Sequence, residues 1–244
     1  MTAVQTLFRK ITGERSEDRK IQIKLLGDSI THGVGGTGFD QNGEPITEGF
    51  ARNPDGYCWA NLFKKHMEAA LPCRVINNAC TGTTIEFVIA RFGELVSPED
   101  DLAICAIGTN NRHQYFADAP KKTPQIMAES FSGNIEVLYE QFKAAGVPVI
   151  FVANIPASEE NERGGEDFWR ILHMNDIHDL YVDAAGTLGF PLIDLYSLWN
   201  AYCAEHGVST DALLADGLHP NDAGEDVIFA LMLGALGAPG AEEI

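Results

Sequence analysis

The 244-residue chain is short of positive charge, of paired cysteines and of long apolar runs. Seventeen Lys and Arg stand against thirty-five Asp and Glu, a formal net charge of −18 at pH 7. So negative a surface repels the phosphate backbones that nucleic-acid binders must neutralise, and it disfavours anionic membranes and polyanionic substrates. Five cysteines, Cys58, Cys73, Cys80, Cys105 and Cys203, form an odd set without a Cys-x-x-Cys pair. That argues against a disulfide framework or a zinc site and fits free thiols in a reducing compartment. No apolar run approaches the ~20 residues needed to span a bilayer. The first ten residues carry neither an apolar core nor a small-residue cleavage site. A cytoplasmic chain with no nucleic-acid or membrane partner is expected. Internal repeats and Pro/Ser-rich linkers are also missing. A single domain over residues 1–244 is therefore expected, with 1–19 as an N-terminal extension and 238–244 as a C-terminal tail.

What is present is an alternation. Ile21–Leu26, Val75–Ala79, Leu102–Ile107, Val149–Ile155 and Pro191–Leu195 are strand-length apolar runs, three of them nearly continuous, as strands covered on both faces require. Helical stripes separate them. One runs through Trp59, Leu62, Phe63, Met67 and Ala70, and a second through Met127, Phe131, Ile135, Leu138 and Phe142, with Gly146 placed to end it. A third runs through Phe168, Ile171, Leu172, Leu180 and Tyr181, and a last one follows Asn221, a residue suited to capping. Strands alternating with helices predict an α/β fold: a parallel sheet with helices on both faces, in the flavodoxin-like order 2-1-3-4-5. Two long polar connections, Gly33–Gly56 and Ala157–Glu166, fall on the edge where such sheets bind ligands.

The carboxyl ends of the strands carry the chemistry. Strand 1 runs into Gly27-Asp28-Ser29-Ile30, strand 2 into Asn78-Ala79-Cys80-Thr81-Gly82, and strand 3 into Gly108-Thr109-Asn110-Asn111. Ahead of the final helix comes Asp216-Gly217-Leu218-His219-Pro220. A serine hydroxyl is a poor nucleophile until a base takes its proton, and neutral imidazole suits that task near pH 7. His219 is the candidate base for Ser29, because Asp216 lies three residues away and can accept the Nδ1 proton. The Ser29 N–H, the Gly82 N–H and the Asn110 amide are candidate oxyanion donors. Asn at 110 matters because a carboxylate cannot donate.

These four blocks, in this order, resemble the GDSL/SGNH hydrolase family, and the resemblance covers roughly residues 20–235. It implies a three-layer α/β/α sandwich and cofactor-free hydrolysis of esters or thioesters. The family's serine falls on Ser29, its glycine on Gly82, its asparagine on Asn110, and its aspartate and histidine on Asp216 and His219. Two positions depart from the pattern: Thr83 and Asn111 stand where the family often has an acidic residue. The Gly-x-Ser-x-Gly elbow of the α/β-hydrolases is absent, since Thr31 stands two residues after Ser29.

Other motifs compete with this reading. Gly33-Val34-Gly35-Gly36-Thr37-Gly38 matches a dinucleotide fingerprint, but Gly27–His32 intervene after the strand and no helix pattern follows. His173, Asp176 and His178 suggest a metal cluster, yet helical positions five apart point about 140° from each other, so no metal is expected. His32 and Asn154 are candidate substrate contacts. The polar loops, with Phe39, Phe50, Tyr57, Trp59 and Phe116 as stacking surfaces, point to short acyl groups on a polar or carbohydrate alcohol as the small-molecule substrate. A thioesterase and a lysophospholipase-type acylhydrolase are the alternatives within the same chemistry. A non-catalytic ligand-binding module is the alternative outside it.

Overall fold

A computed structural model describes residues 1–13, 19–39, 55–114, 120–163 and 169–241. Most of the Gly33–Gly56 connection, the end of the Ala157–Glu166 connection and the candidates Phe50, Phe116 and Phe168 lie outside the described residues. In chain order the elements are α1 (Ala3–Gly13), β1 (Ile21–Gly27), α2 (Ser29–His32), α3 (Trp59–Ala70), β2 (Cys73–Asn77), α4 (Ile85–Ala90) and α5 (Phe92–Leu95). There follow β3 (Leu102–Ala106), β4 (His113–Gln114), α6 (Pro124–Ala145), β5 (Val149–Ala153), α7 (Glu159–Arg163) and β6 (Trp169–Arg170). The last are α8 (Met174–Leu188), β7 (Leu192–Asp194), α9 (Leu195–His206) and α10 (Asp222–Leu236).

Five parallel strands form the sheet, in the order β2-β1-β3-β5-β7. Because β4 and β6 pair apart from it, antiparallel to each other, the sheet strands counted alone run 2-1-3-4-5, as the apolar runs predict. Side chains alternate across the pleat. Ile23 and Leu25 of β1, Ile104 of β3 and Val152 of β5 enter one core layer beneath α1, α3, α9 and α10. Leu26, Ala103, Cys105 and Phe151 enter the opposite layer beneath α4, α6 and α8. Burial on both faces is why these strands read as continuous apolar runs.

Local signals set the helix limits. Thr123 caps α6, its hydroxyl accepting from Ile126 N at 3.2 Å, with Pro124 at the first position and left-handed Gly146 at the end. Residues 1–19 include α1, whose Phe8 is 1% exposed and packs in the layer with α10. Burying such a ring stabilises the fold by about 1.5–3 kcal/mol. The third stripe needs correction. Helix α8 begins only at Met174, while Ile171 and Leu172 lie in the connection, where their N–H groups donate to the Arg112 carbonyl at 2.8 and 3.2 Å. Pairing of Trp169–Arg170 with His113–Gln114 holds that segment extended.

Candidate active site

Ser29 begins α2 directly beyond β1. At Gly27 a Cβ would meet Thr31 Oγ1 at 2.4 Å, so only glycine lets the strand turn this sharply into the helix. Asp28 caps the turn, Oδ1 accepting from Ile30 N at 3.1 Å, and left-handed Gly33 closes it with its N–H on the Ser29 carbonyl. Ser29 is buried, at 4% exposure, and Asp28 is completely so. Burial raises the Asp28 carboxyl above its ordinary value, against hydrogen bonds from Thr109 and Ile30 and the charges of His219 and Arg112.

The segment Asp216–Pro220 forms a closed loop. Ala215 N donates to the His219 carbonyl at 2.7 Å, and Leu214 bridges to Pro220. Asp216 Oδ1 accepts from the Leu218 and His219 N–H groups at 3.0 and 2.8 Å, and Oδ2 lies 2.7 Å from His219 Nδ1. Partial burial would raise the Asp216 carboxyl, but the hydrogen bonds and charge of His219 outweigh it and hold the group at about 2. An ionised carboxylate only accepts, so Nδ1 carries the proton and Nε2 presents a lone pair. That nitrogen lies 2.8 Å from Ser29 Oγ, across 190 residues of sequence.

A staple brings these two segments together. The loop after α2 approaches the loop of His219 so closely that a Cβ at Gly35 would meet the Pro220 carbonyl at 2.3 Å and His219 Cβ at 3.0 Å. One step on, Asp222 accepts from Thr37 N and Thr37 Oγ1, both at 2.7 Å. The glycine-rich run therefore serves close packing against the histidine loop. Helix α10 adds Glu225, which accepts from Trp59 N at 2.9 Å.

Gly82 and Asn110 follow the two strands that flank β1 in the sheet, β2 and β3. Gly82 has a φ of 77° and an open flank, and Asn110 lies on a 3₁₀ turn, Thr109–Arg112, that follows β3. The two loops are linked directly: Asn110 Nδ2 donates to the Thr83 carbonyl at 3.0 Å. Asn111 adds a second link, with Oδ1 accepting from Ile85 N at 3.0 Å and Nδ2 donating to Glu86 at 2.8 Å. The positions lacking the family's frequent acids thus cross-link the loops through neutral groups.

The structure brings Ser29, His219 and Asp216 into one hydrogen-bonded chain and ties the Gly82 loop to Asn110. It does not present His32 or Asn154 in the same way. His32 is buried at the end of α2 with its ring edge against Phe39, and Asn154 donates its amide to Thr109 Oγ1 at 3.0 Å and to Asp28 at 3.4 Å. Asn154 braces the serine turn from β5. Sequence reasoning missed this brace and Thr109 with it; an Asn directly after a buried strand was the available signal. It also missed fully buried Arg112, whose guanidinium donates to the Thr109 carbonyl at 3.0 Å and pairs with Glu162 at 3.2 Å. His173 and His178 have separate partners, Glu162 for the first and Asp179 and Asp194 for the second. Among the described residues no group of three His, Cys, Asp or Glu is arranged to hold a metal, and no helix is long and apolar enough to cross a membrane.

The fold that carries this arrangement has counterparts. The sequence profile of the GDSL-like Lipase/Acylhydrolase family matches residues 25–227, and the chain belongs to that family, a family of carboxylic ester hydrolases. Solved structures with the same fold include LAE5, an alpha/beta hydrolase enzyme from the metagenome of Lake Arreo, at 23% identity and a TM-score of 0.64, covering 89% of this chain and 95% of that one. A lipase/acylhydrolase from Enterococcus faecalis is 22% identical with a TM-score of 0.62, covering 87% and 93%. The acetylxylan esterase Axe2 from Geobacillus stearothermophilus, as a catalytic mutant, is 19% identical with a TM-score of 0.63, covering 89% and 94%. No curated protein is similar enough in sequence to match.

Proposed function

We propose that the protein is a serine esterase that cleaves short-acyl esters of a polar or carbohydrate alcohol through an acyl-enzyme on Ser29. The observation carrying this reading is the chain of 2.7 and 2.8 Å hydrogen bonds from Asp216 through His219 to Ser29. Ser29 Oγ attacks the acyl carbon as its proton passes to His219 Nε2. The imidazolium so formed is stabilised by ionised Asp216, which also fixes the ring's orientation. Negative charge develops on the former carbonyl oxygen, and the N–H groups of Ser29 and Gly82 with the Asn110 amide receive it. When the tetrahedral adduct collapses, the C–O bond to the alcohol breaks and His219 returns its proton to the departing oxygen. Water, deprotonated by the same imidazole, then attacks the acyl-enzyme and frees the acid and Ser29.

Two observations support the short acyl group. The Gly33–Gly56 and Ala157–Glu166 connections are mostly polar in sequence, and an acetylxylan esterase from Geobacillus stearothermophilus has the same fold. Initial rates on p-nitrophenyl esters of increasing acyl length test the reading. The expected kcat/KM is highest at acetyl and falls with each lengthening. A maximum at chains of about ten carbons or more, or a preference for acyl thioesters over esters of the same acid, contradicts it.

A further inference from the structure

A cavity of about 330 Å³ opens beside Asn110, between the Thr109–Arg112 turn and the start of α6. This volume falls at the lower end of small-molecule sites, about 300–1,000 Å³. Because Asn110 lines the cavity and is also the proposed oxyanion donor, a ligand here lies against one of the groups that would face the reacting carbonyl. An acetyl methyl does not need so much room. The floor is apolar, made by Met127 and Phe131, while the walls carry one charge of each sign, Glu86 and Lys122.

The Glu86 carboxylate is held in place. Asn111 and Asn134 donate to the two oxygens of Glu86 at 2.8 and 2.9 Å, leaving a fixed carboxylate with further lone pairs to offer. Gln114 fixes only the main chain at Lys122, accepting from its backbone N–H at 2.7 Å and donating to the Pro120 carbonyl at 2.9 Å. Half-buried His113, pushed down to about 4 by desolvation and by Arg112 and Arg170, is a neutral imidazole on this wall. A long alkyl chain would have to desolvate Glu86 and Lys122 without replacing their hydrogen bonds, which is costly. An anion would meet the Glu86 carboxylate. A neutral ring with several hydroxyls satisfies the walls and lays its C–H face on the floor.

We infer that this cavity is the alcohol subsite and takes a neutral, hydroxyl-bearing ring such as a pentose, gripped by Glu86 and Lys122 over Met127 and Phe131. The inference rests on the esterase reading of Ser29. It is tested by comparing acetate release from a methyl pentopyranoside monoacetate with release from ethyl acetate, whose alcohol is too small to reach the walls. Ser130→Trp fills the cavity from an exposed position of α6, and Lys122→Ala removes an exposed donor, so the second variant carries the test if the first melts early. Each should lower kcat/KM on the pentoside about tenfold or more while ethyl acetate changes by less than about twofold. Parallel losses on both esters, or no loss on either, overturn the assignment. Selective loss of ethyl hexanoate relative to ethyl acetate overturns it too, by giving the cavity to the acyl group. A folded wild type that releases no acetate from either ester refutes the Ser29 reading itself, and the subsite with it.

Discussion

The two halves of the site are built differently. On one side, Ser29, Asp216 and His219 are stapled by carboxyl groups: Asp222 on Thr37, Asp28 capping the serine turn, and Asp216 on the imidazole. On the other side, Gly82, Thr83, Asn110 and Asn111 are cross-linked by carboxamides and backbone, with only Glu86 charged. In the proposed mechanism the first half moves a proton, so it needs groups that titrate. The second would present fixed donors to a charge that exists only transiently, and neutral amides do so at any pH. Activity should therefore respond to pH through one half alone.

The largest expected effect is in the titrating half. Ser29→Ala should lower kcat by about 10⁴–10⁶-fold with an unchanged melting temperature, because the side chain is small and, among the described residues, its hydroxyl bonds only to His219. Asp216→Asn should cost about 10⁴-fold by allowing the wrong imidazole tautomer. Steady-state rates with circular dichroism as a folding control check both. Residual activity within tenfold of wild type in either variant breaks the comparison.

Next comes the neutral half. Asn110→Ala should lower kcat by about 10²–10³-fold with little change in KM. Its pH profile should keep the acid limb of the wild type, lowered in height and unchanged in shape, since the Asn110 amide carries no titrating group. A variant whose acid limb shifts would show that the two halves are electrostatically coupled.

Stability separates them further. Asp216 is held at about 2, below its ordinary range, so its pairing adds stability that is complete above about pH 4 and lost as pH falls toward 2. The gap in melting temperature between wild type and Asp216→Asn should accordingly narrow between about pH 6 and pH 3, and a constant gap contradicts this. The smallest effect is expected at the brace. Asn154→Ala removes donors from Asp28 and Thr109 and should destabilise the fold by about 1–3 kcal/mol in urea, with the catalytic residues left in place.

The fold was legible where burial imposed a pattern. Strands β1, β3 and β5, covered on both faces, could only be apolar runs, and their strong signal set the sheet order. Ile171 and Leu172 misled because apolar residues at helical spacing also suit an extended segment tied to the Arg112 carbonyl. The site residues were legible because each sits at a strand end or a tight loop within a short motif. Thr109, Arg112 and the bracing role of Asn154 were not, since each acts through a contact across elements that no local spacing records. His32 illustrates the same limit: three residues from Ser29 in sequence, it turns into the packing against Phe39.

The central claim is that His219 makes Ser29 nucleophilic. Treatment of the folded protein with a fluorophosphonate, followed by peptide mass spectrometry, tests it most directly. The account predicts a single phosphonyl adduct on Ser29, formed far more slowly in His219→Ala. An unlabelled wild type, or an adduct on Ser29 that forms equally fast without the imidazole, would contradict it.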